Sequence, residues 1–529
     1  MTDARLPSAR RVAAGASRAL RHGLDRALLP RAGLWVRVRL DAGQSELPGP
    51  QRRRDTPTSL LEALLVLHAC ARDPEVAGVS LVLAPPLAGW SAALSLRRAV
   101  AALGERGVPV AAFAEQLDEA SLLVASAATR IFMPETGRVQ LVGVRAEGFY
   151  LRELLSRIDV VPEVVRIGSH KSAGEMFTRE GMSPEQREQL DELVGDIYDA
   201  LVAGIAEGRG LAPAFVRELI DRGPYTAAAA RDVSLIDACV YPDELAERCR
   251  ALCAGSAADG APPRLMPVDA RVYRALRVQP AAGTPGRLAY VVAQGGIHRG
   301  TGVRGVASDD LARTLDSLRT DPEVRGVTLR IDSPGGDALA SDLLWRAVDR
   351  LRREKPVVAS LAEVAASGGY YLACAADAIH AEIASVTGSI GVIGGKLNLA
   401  GLYRRLGIAR DGVERGERAG LLSEARPFTP SERRALRAEM ETLYAAFVDR
   451  VARGRGLAVD AVARVAEGRV WSGGRAHRIG LVDALGGPLE ALAETRRLAG
   501  LLPGEQAALE LHPRAPRLGG LFHLLRWLR

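Results

Sequence analysis

The chain says nearly the same thing twice, and this limits its fold more than any single motif does. Asp73-Pro74-Glu75-Val76-Ala77-Gly78-Val79 returns as Asp321-Pro322-Glu323-Val324-Arg325-Gly326-Val327. Gly107-Val108-Pro109-Val110 is answered by Glu354-Lys355-Pro356-Val357, and Ala125-Ser126-Ala127-Ala128 by Ala373-Cys374-Ala375-Ala376. Ser183-Pro184-Glu185 and Thr429-Pro430-Ser431 each put a capping hydroxyl before a proline at the first helical position, and each opens an apolar pattern of period 3.6. Both patterns run into Gly-Arg-Gly-Leu, and the halves close on Leu-Ile-Asp-Ala and Leu-Val-Asp-Ala (Leu235–Ala238 and Leu481–Ala484). The offset stays between 246 positions (Leu235 to Leu481) and 248 (Asp73 to Asp321). Two homologous domains in tandem follow. With 529 residues, the length also demands more than one core.

The expected division is an Arg-rich arm (1–31), a first domain (32–254), an Ala/Gly/Pro-rich linker (255–286), a second domain (287–500) and an apolar-basic tail (501–529). The class is α/β, because strand, glycine turn and helix alternate. Val327–Ile331 breaks into Asp332-Ser333-Pro334-Gly335-Gly336 before a helical pattern. Pro356–Leu361 leads into Ala365-Ala366-Ser367-Gly368-Gly369-Tyr370 and another. Such repeats build parallel βαβ units whose functional loops gather at the strand ends. Glycine pairs let backbone N–H groups approach a ligand closely. A serine placed before one of them suits a nucleophile beside an oxyanion hole.

The halves differ where chemistry would sit. The first has Ala84-Pro85-Pro86-Leu87-Ala88 opposite the Gly335-Gly336 turn, and Glu119-Ala120-Ser121 opposite Ser367-Gly368-Gly369. It has in exchange Arg166-Ile167-Gly168-Ser169-His170-Lys171-Ser172, and Ala419 stands opposite Lys171 in the second half. Of 70 basic residues only Lys171, Lys355 and Lys396 are lysines; the other 67 (70 less 3) are arginine. Arginine keeps its proton near neutral pH, whereas a desolvated lysine loses it and acts as a base. Lys355, in the polar turn Arg353-Glu354-Lys355-Pro356, reads as exposed. Lys396, after a glycine pair, is a rival base, and Ser333 a rival nucleophile that also suits a turn-shaping role. Ser367 itself could simply cap the next helix. The complementarity of the halves favours Ser367 with Lys171.

Other chemistries are poorly supported. The 70 basic and 63 acidic residues are interspersed, which describes a mixed solvated surface and not a nucleic-acid site. Five cysteines, an odd number without metal-ligand spacing, suggest neither zinc nor a disulfide framework. No Walker loop or dinucleotide fingerprint implies a cofactor. No run of about 18 apolar residues encodes a spanning helix. The tail Leu518–Arg529 reads equally as a peripheral membrane contact, an oligomer contact or a packed segment.

Asp332-Ser333-Pro334-Gly335-Gly336, Ala366-Ser367-Gly368-Gly369-Tyr370, Thr387-Gly388-Ser389-Ile390-Gly391 and His170-Lys171-Ser172-Ala173 together resemble the long, duplicated members of the signal peptide peptidase A family, peptidase family S49. The resemblance runs from about residue 34 to 495. It implies the fold of the Clp protease and crotonase group, Ser367 as nucleophile, Lys171 as general base and Ser389 as the residue that orients the lysine. It also implies an oxyanion hole from Gly368 and the Gly335-Gly336 turn, apolar peptide substrates such as signal-peptide remnants, and a homotetramer. The best-known long members carry a spanning anchor, where this chain has the Arg-rich arm. The expected place is therefore the surface of a bacterial inner membrane or the cytoplasm. A crotonase-like acyl-CoA enzyme and a non-catalytic oligomeric scaffold are the competing readings.

Overall fold

The computed structural model describes residues 33–513 apart from 43, 49–57, 88, 255–264, 279–285, 503–504 and 506. The Arg-rich arm and the tail segment Leu518–Arg529 lie outside the described residues. Two sheets form the scaffold. In spatial order the first contains Met266–Asp269, Leu34–Leu40, Val76–Leu83, Val110–Ala114, Arg130–Met133 and Ala238–Cys239, all parallel. The second runs Val470–Ser472, Val386–Gly388, Val357–Ala366, Val324–Ser333, Arg287–Gln294 and Ala508–His512. Only its first pairing, Val386–Gly388 with Val470–Ser472, is antiparallel among these six.

The strand interiors explain the layering. Val327, Leu329 and Ile331 are fully buried, as are Val357, Ala359 and Leu361. Parallel strands covered by helices on both faces need such near-continuous apolar runs. Arg330 interrupts one run and is nonetheless 1% exposed. Its guanidinium donates to Ser360 Oγ and the Leu361 carbonyl, and lies 3.4 Å from the Glu46 carboxylate of the first half. A buried charge is tolerated when paired in this way.

Part of the stretch read as a linker is structured. Met266–Asp269 is an edge strand on Leu34–Leu40, and a short helix, Ala270–Tyr273, follows it. Ala508–His512, from the stretch read as tail, takes the same place beside Arg287–Gln294. Both are short and pair on one side; Leu509 and Leu511 alternate with Glu510 and His512, but over too few residues to stand out in the sequence. Pro267, without an N–H to donate, fits an edge position.

The long helices appear where the sequence put them, Pro184–Arg209 and Pro430–Arg455, capped by Ser183 and Thr429 and ended by left-handed Gly210 and Gly456. Each reaches across to the other half. The first packs on Val470–Ser472 and the second on Val161–Ile167. Val161–Ile167 itself pairs antiparallel with Val392–Asn398, Ile167 opposite Val392. The two domains thus share a two-stranded ribbon as well as helices. No helix among the described residues is long and apolar enough to cross a membrane.

Candidate active site

The shared ribbon decides what meets. Beyond Ile167 the chain turns at Gly168 (φ +108°) and delivers Lys171; ahead of Val392 lies Ser389. Ser367 ends the strand Val357–Ala366, whose last residue pairs with Gly388, and the Ser367 N–H donates to the Gly388 carbonyl at 2.8 Å. Lys171, Ser367 and Ser389 are therefore brought together from three loops and both halves. Lys171 Nζ lies 3.0 Å from Ser367 Oγ, 2.9 Å from Ser389 Oγ and 2.8 Å from the Ser389 carbonyl.

Lys171 is 5% exposed. Burial penalises its charged form and pushes its pKa down from 10.5 to about 8. At that value a substantial neutral fraction exists near physiological pH. The other two lysines stand elsewhere. Lys396 donates to the Leu421 carbonyl and sits 4.3 Å over the Phe428 ring. Lys355, expected to be exposed, is half-buried because its ammonium is held by the Leu318 and Asp321 carbonyls.

Ser367 adopts φ +53° and ψ −119°, and Ser389 has φ +52°. Non-glycine residues rarely hold positive φ, and such strain gathers at functional sites. At Ser367 it turns the chain sharply from strand into the helix Gly368–Ala373. The turn at Gly335-Gly336 comes close beside it. A Cβ on Gly335 (φ +98°) would stand 2.6 Å from the Gly368 nitrogen, and one on Gly336 would stand 2.0 Å from the Ile297 carbonyl oxygen. Only glycine fits either place. The Gly335 N–H donates to Ser333 Oγ, which donates in turn to the Gly295 carbonyl. Ser333 therefore shapes the turn, while the N–H groups of Gly336 and Gly368 have no acceptor among the described residues.

The loop around Glu467 and Gly468 was missed by sequence reasoning. The Glu467 carbonyl accepts from the His170 N–H and its carboxylate from the Ser169 N–H. Gly468 (φ +74°) lies so near that a Cβ there would come within 2.5 Å of Lys171 Cβ. Gln189 completes the hold, donating to Ser172 Oγ and accepting from the Val470 N–H. Glu467 and Gly468 belong to the second half, so their bearing on a first-half lysine exists only after docking.

A cavity of about 460 Å³ opens over Ser367 and Lys171. Leu339, Tyr371, Leu436, Met440 and Phe447 give it an apolar wall, and Gly391–Gly394 runs along it as a strand edge. Another cavity, of about 350 Å³, lies between the helices Leu60–Cys70 and Pro488–Leu498 and holds none of these residues. None of the five cysteines is in a disulfide.

The model of Peptidase family S49 matches the chain twice, over residues 102–254 and 349–502. The chain belongs to peptidase family S49. The two matches fall one in each half, as the duplication requires. "Serine protease SPPA, chloroplastic" from Arabidopsis thaliana is 34% identical over 439 residues, which is 82% of this chain and 64% of that protein. "Protease 4" from Haemophilus influenzae is 29% identical over 465 residues, 86% of this chain and 75% of that protein. The chain thus spans a little under two thirds of the Arabidopsis relative. Among solved structures, a ClpP1 mutant from Listeria monocytogenes aligns over 38% of this chain and 94% of its own, at 15% identity and a TM-score of 0.26.

Proposed function

We propose that this S49-family chain is a serine endopeptidase working with a Ser367–Lys171 dyad divided between its two halves. One observation carries the reading: a single buried amine lies 3.0 Å from the hydroxyl of a strained serine. Neutral Lys171 accepts the Ser367 proton, and the oxygen attacks a peptide carbonyl. Ser389 holds the amine in line from its other side. The oxyanion then falls to the N–H groups of Gly368 and Gly336, with Gly335 supporting the turn between them. The protonated lysine returns its proton to the leaving amine, and the same group, neutral again, activates water to release the acyl-enzyme.

The substrate class is an extended apolar peptide, signal-peptide remnants included. The apolar wall suits an apolar side chain ahead of the cleaved bond. The edge at Gly391–Gly394 suits backbone pairing with an added strand. A homotetramer in peripheral contact with a bacterial inner membrane is the assembly and place that go with this reading.

The test is hydrolysis of an apolar peptide ester by wild type, Ser367→Ala and Lys171→Ala, with a fluorophosphonate probe alongside. Loss of turnover in both variants, and labelling of Ser367 only when Lys171 is present, is the expected result. Full activity in Lys171→Ala would place the base elsewhere. Thioester turnover without acylation of Ser367 would favour the acyl-CoA reading, and complete inertness the scaffold.

A further inference from the structure

The groove over Ser367 holds a charged residue that the proposed reaction leaves unused. One face of the helix Pro430–Arg455 forms a wall of it, with Leu436, Glu439, Met440, Leu443, Phe447 and Arg450 at helical spacing. Glu439 thus stands inside an apolar stripe. Five charged side chains border the groove, and four of them are engaged. Lys171 is bonded to Ser367 and Ser389. Asp337 accepts the Ala340 N–H at 2.8 Å and lies 3.2 Å from Arg299 Nε. Asp342 accepts the Tyr371 hydroxyl at 2.8 Å and lies 3.4 Å from Arg450 Nε. The Arg450 guanidinium also rests 4.1 Å over the Trp345 ring. Glu439 is exposed, and its carboxylate has neither a hydrogen bond nor an ion pair among the described residues. Its own helix offers no partner, since positions three and four away hold Ala435, Leu436, Thr442 and Leu443. The strand edge Gly391–Gly394, which also borders the groove, carries only Gly, Val and Ile.

Two contacts place Glu439 along the groove. The Phe447 ring lies 4.4 Å from that of Tyr371, which follows Ser367 by four positions. Met440 stands at the strand edge instead, where a Cβ on Gly394 would be 3.6 Å from its sulfur. Phe447 therefore marks the nucleophile end of the wall and Glu439 the far end, eight positions away. Eight helical residues rise about 12 Å, the reach of roughly three or four residues of extended substrate. In the reading above, this wall takes the chain ahead of the cleaved bond. A long cationic side chain suits the place doubly. Its methylene stem covers Met440 and Leu443 while its head reaches the carboxylate. We propose that Glu439 is a specificity-determining residue that binds the side chain of a Lys or Arg three or four residues ahead of the cleaved bond. The enzyme thereby selects apolar segments preceded by a basic residue, a selectivity the apolar wall alone does not provide. This inference rests on the serine–lysine reading for its direction along the substrate.

The test uses one fluorogenic apolar peptide with a single Lys, norleucine or Glu scanned through the positions on both sides of the cleaved bond. At the third or fourth position ahead, wild type should cleave the Lys peptide about fivefold better in kcat/KM than the norleucine peptide, the upper end for one exposed ion pair. Glu there should be the poorest of the three. The Lys-to-norleucine ratio, taken within each enzyme, should fall to about one in Glu439→Gln, and Glu439→Lys should prefer the Glu peptide. Glu441→Gln, exposed on the same helix but outside the groove, should keep the wild-type ratio. A wild-type ratio near one at every position overturns the assignment, as does a Lys preference confined to other positions. So does a preference that survives in Glu439→Gln or is lost in Glu441→Gln. Anisotropy of the same labelled peptides on Ser367→Ala, with and without Glu439→Gln, reads the contact without turnover. Lys-selective binding lost with Glu439 would uphold the contact even if wild type proved catalytically inert, and absence of such selectivity would reject it even if the dyad were active.

Discussion

Lys171 Nζ and Ser367 Oγ stand 3.0 Å apart although 196 positions separate them in the chain, and each comes from a different copy of the duplicated unit. One copy lacks the serine turn and the other lacks the lysine. If these two groups are the proton-transfer pair proposed above, neither half alone holds it, and the chemistry requires the halves to dock.

The pH profile follows from the lysine. Only the neutral amine has a lone pair for the serine proton, and burial sets its pKa at about 8. We expect kcat/KM for an apolar peptide ester to rise about tenfold per unit at lower pH and to level off above about 8. Lys171→Arg should lose about 10²–10⁴-fold, since a guanidinium does not deprotonate in this range. A profile flat from pH 6 to 9 in the wild type would exclude Lys171 as the titrating base.

The same shift is a statement about stability. Folding lowers the lysine pKa from an ordinary 10.5 to about 8, so between those values the unfolded chain binds more protons. Stability must then rise with pH across this window, and the whole penalty of burying the charge is felt below pH 8. Urea unfolding of wild type and Lys171→Met at pH 7.5 and pH 10 isolates the effect. The wild type should gain about 2.4 kcal/mol relative to the variant between the two. No relative gain would mean that the amine is not desolvated.

In the proposed mechanism Ser389 orients the amine and does not touch the substrate. Its Oγ and carbonyl lie 2.9 Å and 2.8 Å from Nζ. Ser389→Ala keeps the carbonyl contact and removes the hydroxyl. Turnover should drop about tenfold to a hundredfold with KM nearly unchanged, because the loss is in orientation and not in binding. An equal rise in KM would point to Ser389 as a substrate contact instead.

How much of this the sequence disclosed depends on the range of each interaction. Lys171 stood out because a chain with 67 arginines kept so few lysines, and Ser367 because a glycine pair follows it. Both signals are local. The duplication revealed itself as repeated short words, and the capped helices at Ser183 and Thr429 as local chemistry. Glu467 and Gly468 gave no such signal. A glycine with φ +74° looks like any loop glycine until the first-half lysine is seen against it. The edge strands Met266–Asp269 and Ala508–His512 were hidden for a similar reason: their identity lies in the neighbour they pair with. Ser389 was singled out only through the family resemblance, and its contact with Nζ needed the ribbon that joins the halves.

Gly468 tests that hidden contact directly. A methyl group there would come within 2.5 Å of Lys171 Cβ and 2.7 Å of its Cα, at a backbone conformation that also disfavours a side chain. The easiest escape is movement of the Lys171 loop away from Ser367. Gly468→Ala should cut fluorophosphonate labelling of Ser367 by about a hundredfold, as a displacement near 1 Å does, while the circular dichroism spectrum stays the same. Labelling at the wild-type rate would show that the loop has room to yield without moving the amine.

The strand that leads to Ser367 is also tied to the first half, and this tie can be weakened without touching the Ser367–Lys171 contact. Glu363, in Val357–Ala366, accepts the Ala92 N–H at 2.8 Å and the Ser91 N–H at 3.0 Å. Those are two of the unpaired donors that begin the first-half helix Trp90–Glu105, where a negative charge is also favoured by the helix dipole. Both carboxylate oxygens are used. In Glu363→Gln one of them becomes an amide nitrogen facing an N–H donor, and the charge is lost as well. The variant should lose about 1–3 kcal/mol of stability and melt a few degrees lower. Because Glu363 lies four positions before Ser367 on one strand, the first loss on heating should be fluorophosphonate labelling, ahead of the bulk far-UV signal. An unchanged melting temperature would mean that the ribbon and the long helices alone hold the halves together.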